Sequence, residues 1–175
     1  MRFPSRPASI LSLLGLALVG CAQDESPADA PQAAVSAVVT ACHLVTRDEG
    51  AATLGEAVDE PVEQVISPGS AETAAFSMCT VQATATPGKT LSLSLRVSPV
   101  DDSQPDSVRQ TLTDSGVTAE DVPGIGDTAF WGASELHVFF NGNSYLSVSL
   151  RGLDDGPEAL ARAKEIAGRA LERAG

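Results

Sequence analysis

The sequence is short of aromatic rings and of basic side chains. One Trp, one Tyr and five Phe among 175 residues mean that any core must be built from aliphatic volume. Lys and Arg number 11 against 23 Asp and Glu, a formal net charge of −12. A chain that neutralises phosphates needs a basic footprint, so this balance excludes a nucleic-acid partner. There are two histidines, His43 and His137, and no Gly-x-Ser-x-Gly, His-Glu-x-x-His or Ser-x-x-Lys, which removes the familiar hydrolase signatures. The apolar run from Ile10 to Val19 is shorter than the roughly 20 residues a membrane helix requires.

What is present begins with that run. Arg2 and Arg6 precede it, as in a signal peptide, and it ends in Leu18-Val19-Gly20-Cys21. This quartet resembles the lipobox of bacterial lipoproteins. The resemblance implies removal of residues 1–20, a diacylglyceryl thioether on Cys21 and acylation of the new amino terminus. More than one acyl chain gives stable attachment, at roughly 0.8 kcal/mol per buried CH₂. Residue 22 is Ala and not Asp, which by the same resemblance implies the outer membrane if the cell is Gram-negative. In a Gram-positive cell the anchor holds the chain at the extracytoplasmic face of the cell membrane. Cleavage would take the side-chain balance from 11 basic against 23 acidic to 9 against 23, and a domain so acidic is repelled by anionic lipid.

Residues 21–39 continue as AQDESPADAPQAAVSAVV after Cys21, a composition of small residues, prolines and acids that suits a flexible tether. A single folded domain is expected over 40–175. With Cys21 assigned to lipid, Cys42 and Cys79 remain as an even pair in an oxidising compartment, and a disulfide between them is expected. Two buried thiols or a redox site are the alternatives, although no Cys-x-x-Cys occurs.

Thr46-Arg47-Asp48-Glu49 has capping-box spacing, and Gly55 offers a stop two turns later. A loop is expected over 56–70, with one short strand around Val62 to Ile66. Phe76 to Ala83 reads as a strand, with Cys79 and Val81 on one face. Thr90 to Val97 alternates cleanly, Leu91, Leu93, Leu95 and Val97 inward and Ser92, Ser94 and Arg96 outward, as in an antiparallel sheet with one wet face. Ser107 to Leu112 suits a short helix. The glycine-rich turn Val122 to Asp127 leads into Ala129-Phe130-Trp131.

A hairpin follows. If Asn141-Gly142 alone formed its loop, Val138 would face Tyr145 and apolar residues would oppose polar ones. A three-residue loop, Asn141-Gly142-Asn143, pairs Val138 with Leu146 and Leu136 with Val148, and lets Asn143 adopt the left-handed conformation. Asp155 and Glu158 have cap-to-third-residue spacing before a final amphipathic helix. Its stripe holds Leu160, Ala163, Ile166, Ala167, Ala170, Leu171 and Ala174, with Glu158–Arg162 and Glu165–Arg169 pairs outside. The expected fold is α+β, one antiparallel sheet packed against this helix and a short N-terminal one.

Ala41-Cys42-His43-Leu44-Val45-Thr46, Leu54-Gly55, Cys79, Val122-Pro123-Gly124-Ile125-Gly126-Asp127-Thr128-Ala129-Phe130-Trp131 and Asn143 to Ser149 carry a second resemblance. Together they are similar to small bacterial lipoproteins of the LpqN-like and PsbP-like kinds over roughly residues 41–173. The resemblance implies helices packed on an antiparallel sheet. It implies no catalytic or ligand-binding residue.

Chemistry is thin. His137 is out of phase with Leu136 and Val138, so a solvent-facing place is expected, and His43 belongs to the approach of the first helix. Gly124 and Gly126 suit special backbone angles more than a phosphate loop, since no Lys follows. Asp101-Asp102 with Asp106, and Asp154-Asp155 with Glu158, lack the ligand pattern of a calcium loop; no metal or other cofactor is expected. Phe130, Trp131, Phe139 and Tyr145 form a candidate binding patch, although a chain with seven aromatic residues needs their volume in its core, and a buried anchor is the favoured place for Phe130-Trp131. The reading that results is a lipid-anchored envelope protein with a non-catalytic domain that binds an envelope protein or a small apolar ligand. A structural role through self-association and a carboxylate-dependent enzyme are the alternatives.

Overall fold

The computed structural model describes residues 39–100, 104–154 and 156–175. The signal segment, Cys21 and all of the tether but Val39 lie outside these residues, as do Asp101, Asp102 and Asp155.

A 3₁₀ turn, Ala41–Leu44, leads into helix α1, Arg47–Leu54. The capping box forms as its spacing predicts: the Thr46 hydroxyl accepts from the Glu49 amide, and the Glu49 carboxylate accepts from the Thr46 amide. Gly55 closes the helix in the left-handed region, with φ +73°. Seven strands follow, interrupted by helix α2, Pro105–Asp114: β1 Val62–Pro68, β2 Ala75–Gln82, β3 Thr90–Val97, β4 Glu120–Asp121, β5 Thr128–Gly132, β6 Glu135–Phe140 and β7 Ser144–Arg151. Helix α3, Pro157–Ala174, ends the chain. The fold is α+β, one antiparallel sheet with the order β1-β2-β3-β7-β6-β5-β4.

Two meanders compose this sheet. The first runs β1 to β3 and the second β4 to β7, and they meet where β3 pairs with β7. Opposing residues across the seam are Leu91 with Leu150, Leu93 with Val148 and Leu95 with Leu146. These leucines and valines, with Cys79, Val81, Leu136 and Val138, make one buried face. Small residues of α3 (Ala159, Ala163, Ala167 and Ala170, with Ile166) bury against the same core. Alanine keeps the helix close, because no long side chain holds the backbones apart. Approach is closer still at Gly50 of α1, where a Cβ would stand 2.7 Å from Val81 Cγ1. Ser77 is a polar residue on this apolar face, and its hydroxyl accepts from the Ala41 amide at 2.8 Å.

The hairpin β6–β7 has the three-residue loop and the register expected from its faces: Val138 opposes Leu146 and Leu136 opposes Val148. One detail differs. The left-handed residues are Asn141 (φ +54°) and Gly142 (φ +68°), not Asn143. Asn143 is held by Ser98 instead, donating from Nδ2 to its carbonyl at 2.8 Å and accepting from its amide at 2.9 Å. Helix α3 also begins differently, with Gly156 at the N-cap and no side chain capping it. Strand β1 is longer than the short strand expected, and β4 was not expected at all. No helix among the described residues is long and apolar enough to cross a membrane.

Candidate functional site

The sheet's second face is where the structure departs most from the alternation pattern. Along a strand successive side chains point to opposite faces. With Leu136 and Val138 in the main core, His137 and Phe139 must point the other way, joined by Phe130 of β5 and Tyr145 of β7. Cross-strand pairing sets Phe130 beside His137 and Phe139 beside Tyr145. The rings form a connected cluster: centroids lie 5.0 Å apart for Phe130–His137, 5.9 Å for Phe130–Phe139 and 4.9 Å for Phe139–Tyr145.

Helix α2 covers part of this cluster. Arg109 places its guanidinium carbon 4.2 Å from the centre of the Phe130 ring, a cation–π contact, and also pairs with Asp121. Leu112 comes close to Gly132, where a Cβ would stand 3.1 Å from its Cδ1.

His137 is thus no solvent-face residue; only 5% of its surface is exposed. Its Nδ1 lies 2.7 Å from Tyr145 Oη, whereas Nε2 is buried without a well-formed hydrogen bond. Burial lowers the His137 pKa below its usual 6.5, against the opposing pull of the Glu135 charge and the Gly132 backbone. The imidazole is therefore neutral at pH 7. Tyr145 is pushed upward, first by burial and then by the Glu135 charge, with Ser147 working in the opposite sense. Two neutral rings share the hydrogen bond, and either tautomer of the imidazole suits it, since the phenol can donate or accept.

Beside the rings, between α2 and the end of the β6–β7 hairpin, a cleft of about 290 Å³ opens to solvent. Phe139 and Tyr145 give it an apolar floor, and Val108 of α2 closes one wall. Polar groups converge on its rim: Arg96 of β3, Gln104, Ser107 and Asn143. An apolar floor with a few oriented polar groups is the usual construction of a small-molecule site.

The expected patch is therefore brought together in part. Phe130, Phe139 and Tyr145 share one face, but Trp131 does not: it follows Phe130 directly, points to the opposite face, opposes Leu136 and packs on the main core. His137, Arg96, Gln104, Ser107, Val108 and Asn143 were not among the expected binding residues. A signal for the second buried face exists in the run Leu136-His137-Val138-Phe139-Phe140, five successive residues able to bury, which implies cover on both sides.

Elsewhere the candidate residues are structural. Cys42 and Cys79 form a disulfide that joins the 3₁₀ turn to β2. His43 sits in that turn with Nδ1 3.0 Å from Thr40 Oγ1, far along the chain and in a different layer from His137. Gly124 and Gly126 adopt positive φ, and a Cβ on Gly126 would stand 2.5 Å from the Phe139 carbonyl oxygen, so the loop is shaped for close backbone contact. Among the described residues no three His, Cys, Asp or Glu side chains converge to hold a metal ion.

No family model matches the chain, and no curated protein matches it.

Proposed function

We propose that this chain is an exported lipoprotein, anchored through Cys21, whose domain binds a small ligand in the cleft between α2 and the ring-bearing face of the sheet. The observation that carries this reading is the cleft itself: an aromatic floor of Phe139 and Tyr145 with polar groups from three separate elements on its rim. The ligand class that fits is a small molecule with an apolar or aromatic body and a polar end, the latter turned toward the rim. The reading is non-catalytic. In its favour, the hydroxyl that meets an imidazole at the cleft, Tyr145 with His137, belongs to a buried pair in which burial pushes the phenol pKa up and the imidazole pKa down.

The test uses two variants of the intact protein and a panel of small aromatic alcohols and carboxylates as probes. Cys21→Ser should release the protein from the membrane fraction of cells and leave probe binding unchanged. Val108→Trp should fill the cleft, abolish the NMR shifts that probes cause at Phe139, Asn143 and Tyr145, and leave membrane attachment and melting temperature unaltered. Probe shifts that survive Val108→Trp, or that map to another surface, would overturn the cleft as the site. Membrane attachment that survives Cys21→Ser would overturn the anchor.

A further inference from the structure

The two edges of the sheet are unlike. The β4 edge is two residues long, both acidic, too short and too charged to take another strand. The β1 edge is seven residues long, and among the described residues β1 pairs with β2 alone. An edge strand directs half of its amides and carbonyls outward, and these are a template for a further strand. Natural edges of this length carry charges on the strand itself. Here the one charge, Glu63, is turned inward, and beside the exposed Gln64 three apolar side chains stand out: Val62, Val65 and Ile66 show 65%, 53% and 50% of their surface. At the Val65–Pro68 end of the strand an apolar groove of about 290 Å³ runs inward across β2 to Leu95 and Val97 of β3, lined also by Val39 and Thr40.

Charge selects the occupant. Residues 56–74 hold five acids, Glu56, Asp59, Glu60, Glu63 and Glu72, and no base. Lys89 answers Glu56 at 3.0 Å and Arg47 answers Glu60 at 2.9 Å. Asp59 and Glu72 make no ion pair among the described residues, which leaves an uncompensated acid at each end of the strand, whereas the Glu63 carboxylate is turned inward and accepts from the Cys42 amide at 2.8 Å and the Thr40 hydroxyl at 2.9 Å. A second copy would set the same acids against themselves. We infer that the β1 edge accepts an extended segment of another protein as an eighth strand, with apolar residues at alternate positions and basic residues at its ends. The bulge at Ile66, where the β1–β2 register shifts between Val65 and Ser67, limits that pairing to Val62–Val65.

The probe is a short synthetic peptide alternating valine and threonine between lysine pairs, with a glutamate-ended peptide of the same centre as comparison. Amide exchange of the full protein is followed residue by residue. The lysine-ended peptide should slow exchange in Val62–Val65 at least about tenfold, and the glutamate-ended one should not. Raised salt should weaken the effect. Val62→Ser with Val65→Ser, both exposed and so tolerated, should remove the effect while the melting temperature holds. Equal action of both peptides, or protection elsewhere than β1, would overturn the inference. So would protection of β1 without peptide: rising with protein concentration, it would assign the edge to a second copy, and independent of concentration, to the chain's own upstream segment.

Discussion

At the scale of single residues, His137 has the most consequence for its size. Its ring sits between Phe130 and Tyr145 and is buried as the neutral imidazole. The unfolded chain lets it titrate near 6.5, whereas the folded chain binds the proton less readily. Folding stability is therefore complete above about pH 6.5 and falls as the pH drops toward the lower folded value, at most about 1.4 kcal/mol per pH unit for one proton. His137→Phe keeps a ring in the stack and removes the titration. Urea unfolding of this variant should lose the slope in stability just below pH 6.5 that the parent shows. An unchanged slope would mean that His137 is not held neutral. The acid limb below pH 4.5 has a different owner and should persist.

That owner belongs to the scale of elements. Glu49, on α1, is bound by Arg173 of α3, whose Nη2 donates to Oε1 at 2.6 Å and Nη1 to Oε2 at 3.0 Å, while Nη1 also donates to the Leu44 carbonyl at 2.7 Å. Burial raises the Glu49 pKa, but the Arg173 and Thr46 hydrogen bonds outweigh it and bring the group to about 2. The stabilisation is present above 4.5 and is lost as the pH falls from 4.5 toward 2. Arg173→Ala should cost about 1–2 kcal/mol at pH 7, discounted for the partly exposed arginine, and should flatten the acid limb between those values. Denaturant titrations at pH 7 and pH 3 check both parts. The same elements mark how far the residues alone could be read. The capping box, β3 to its end residues and the hairpin register were legible because each rests on local spacing: a cap three residues from its partner, or a period of two with one apolar face. β1 was harder, since an edge strand flanked by acids and prolines has no alternation to display. The second face was missed for another reason. Serines at 92 and 94 and Arg96 mark it as wet, and it is wet along β3, but the same face turns aromatic at β6 and β7 where α2 covers it. Alternation in one strand cannot report a helix that lies over its neighbour. Trp131 was grouped with Phe130 by adjacency, which in a strand is the arrangement that separates two side chains.

At the scale of the whole molecule, the 3₁₀ turn before α1 and the sheet are held together covalently. The Cys42–Cys79 bridge spans 37 positions and ties the first turn of the domain to β2. On the chain-entropy model a closed loop of that size stabilises by about 4 kcal/mol. Cys42→Ser with Cys79→Ser should lower the denaturant midpoint by a corresponding amount, and a change below about 1 kcal/mol would show that the bridge contributes little. The two-meander plan has a further consequence, in time and not in energy. Each meander closes on itself through short turns, so its pairings are local and quick to form. The seam between them joins Thr90 with Arg151 and Val97 with Ser144, residues 61 and 47 positions apart in the chain, and it is the central contact of the sheet. Loop-closure entropy must be met before such a pairing gives any return, which makes it slow. Nor can it begin before β7 is available, within the last quarter of the sequence. A chain delivered from its amino terminus through a narrow pore would therefore travel with its sheet in two unjoined halves, and would complete its fold on the far side.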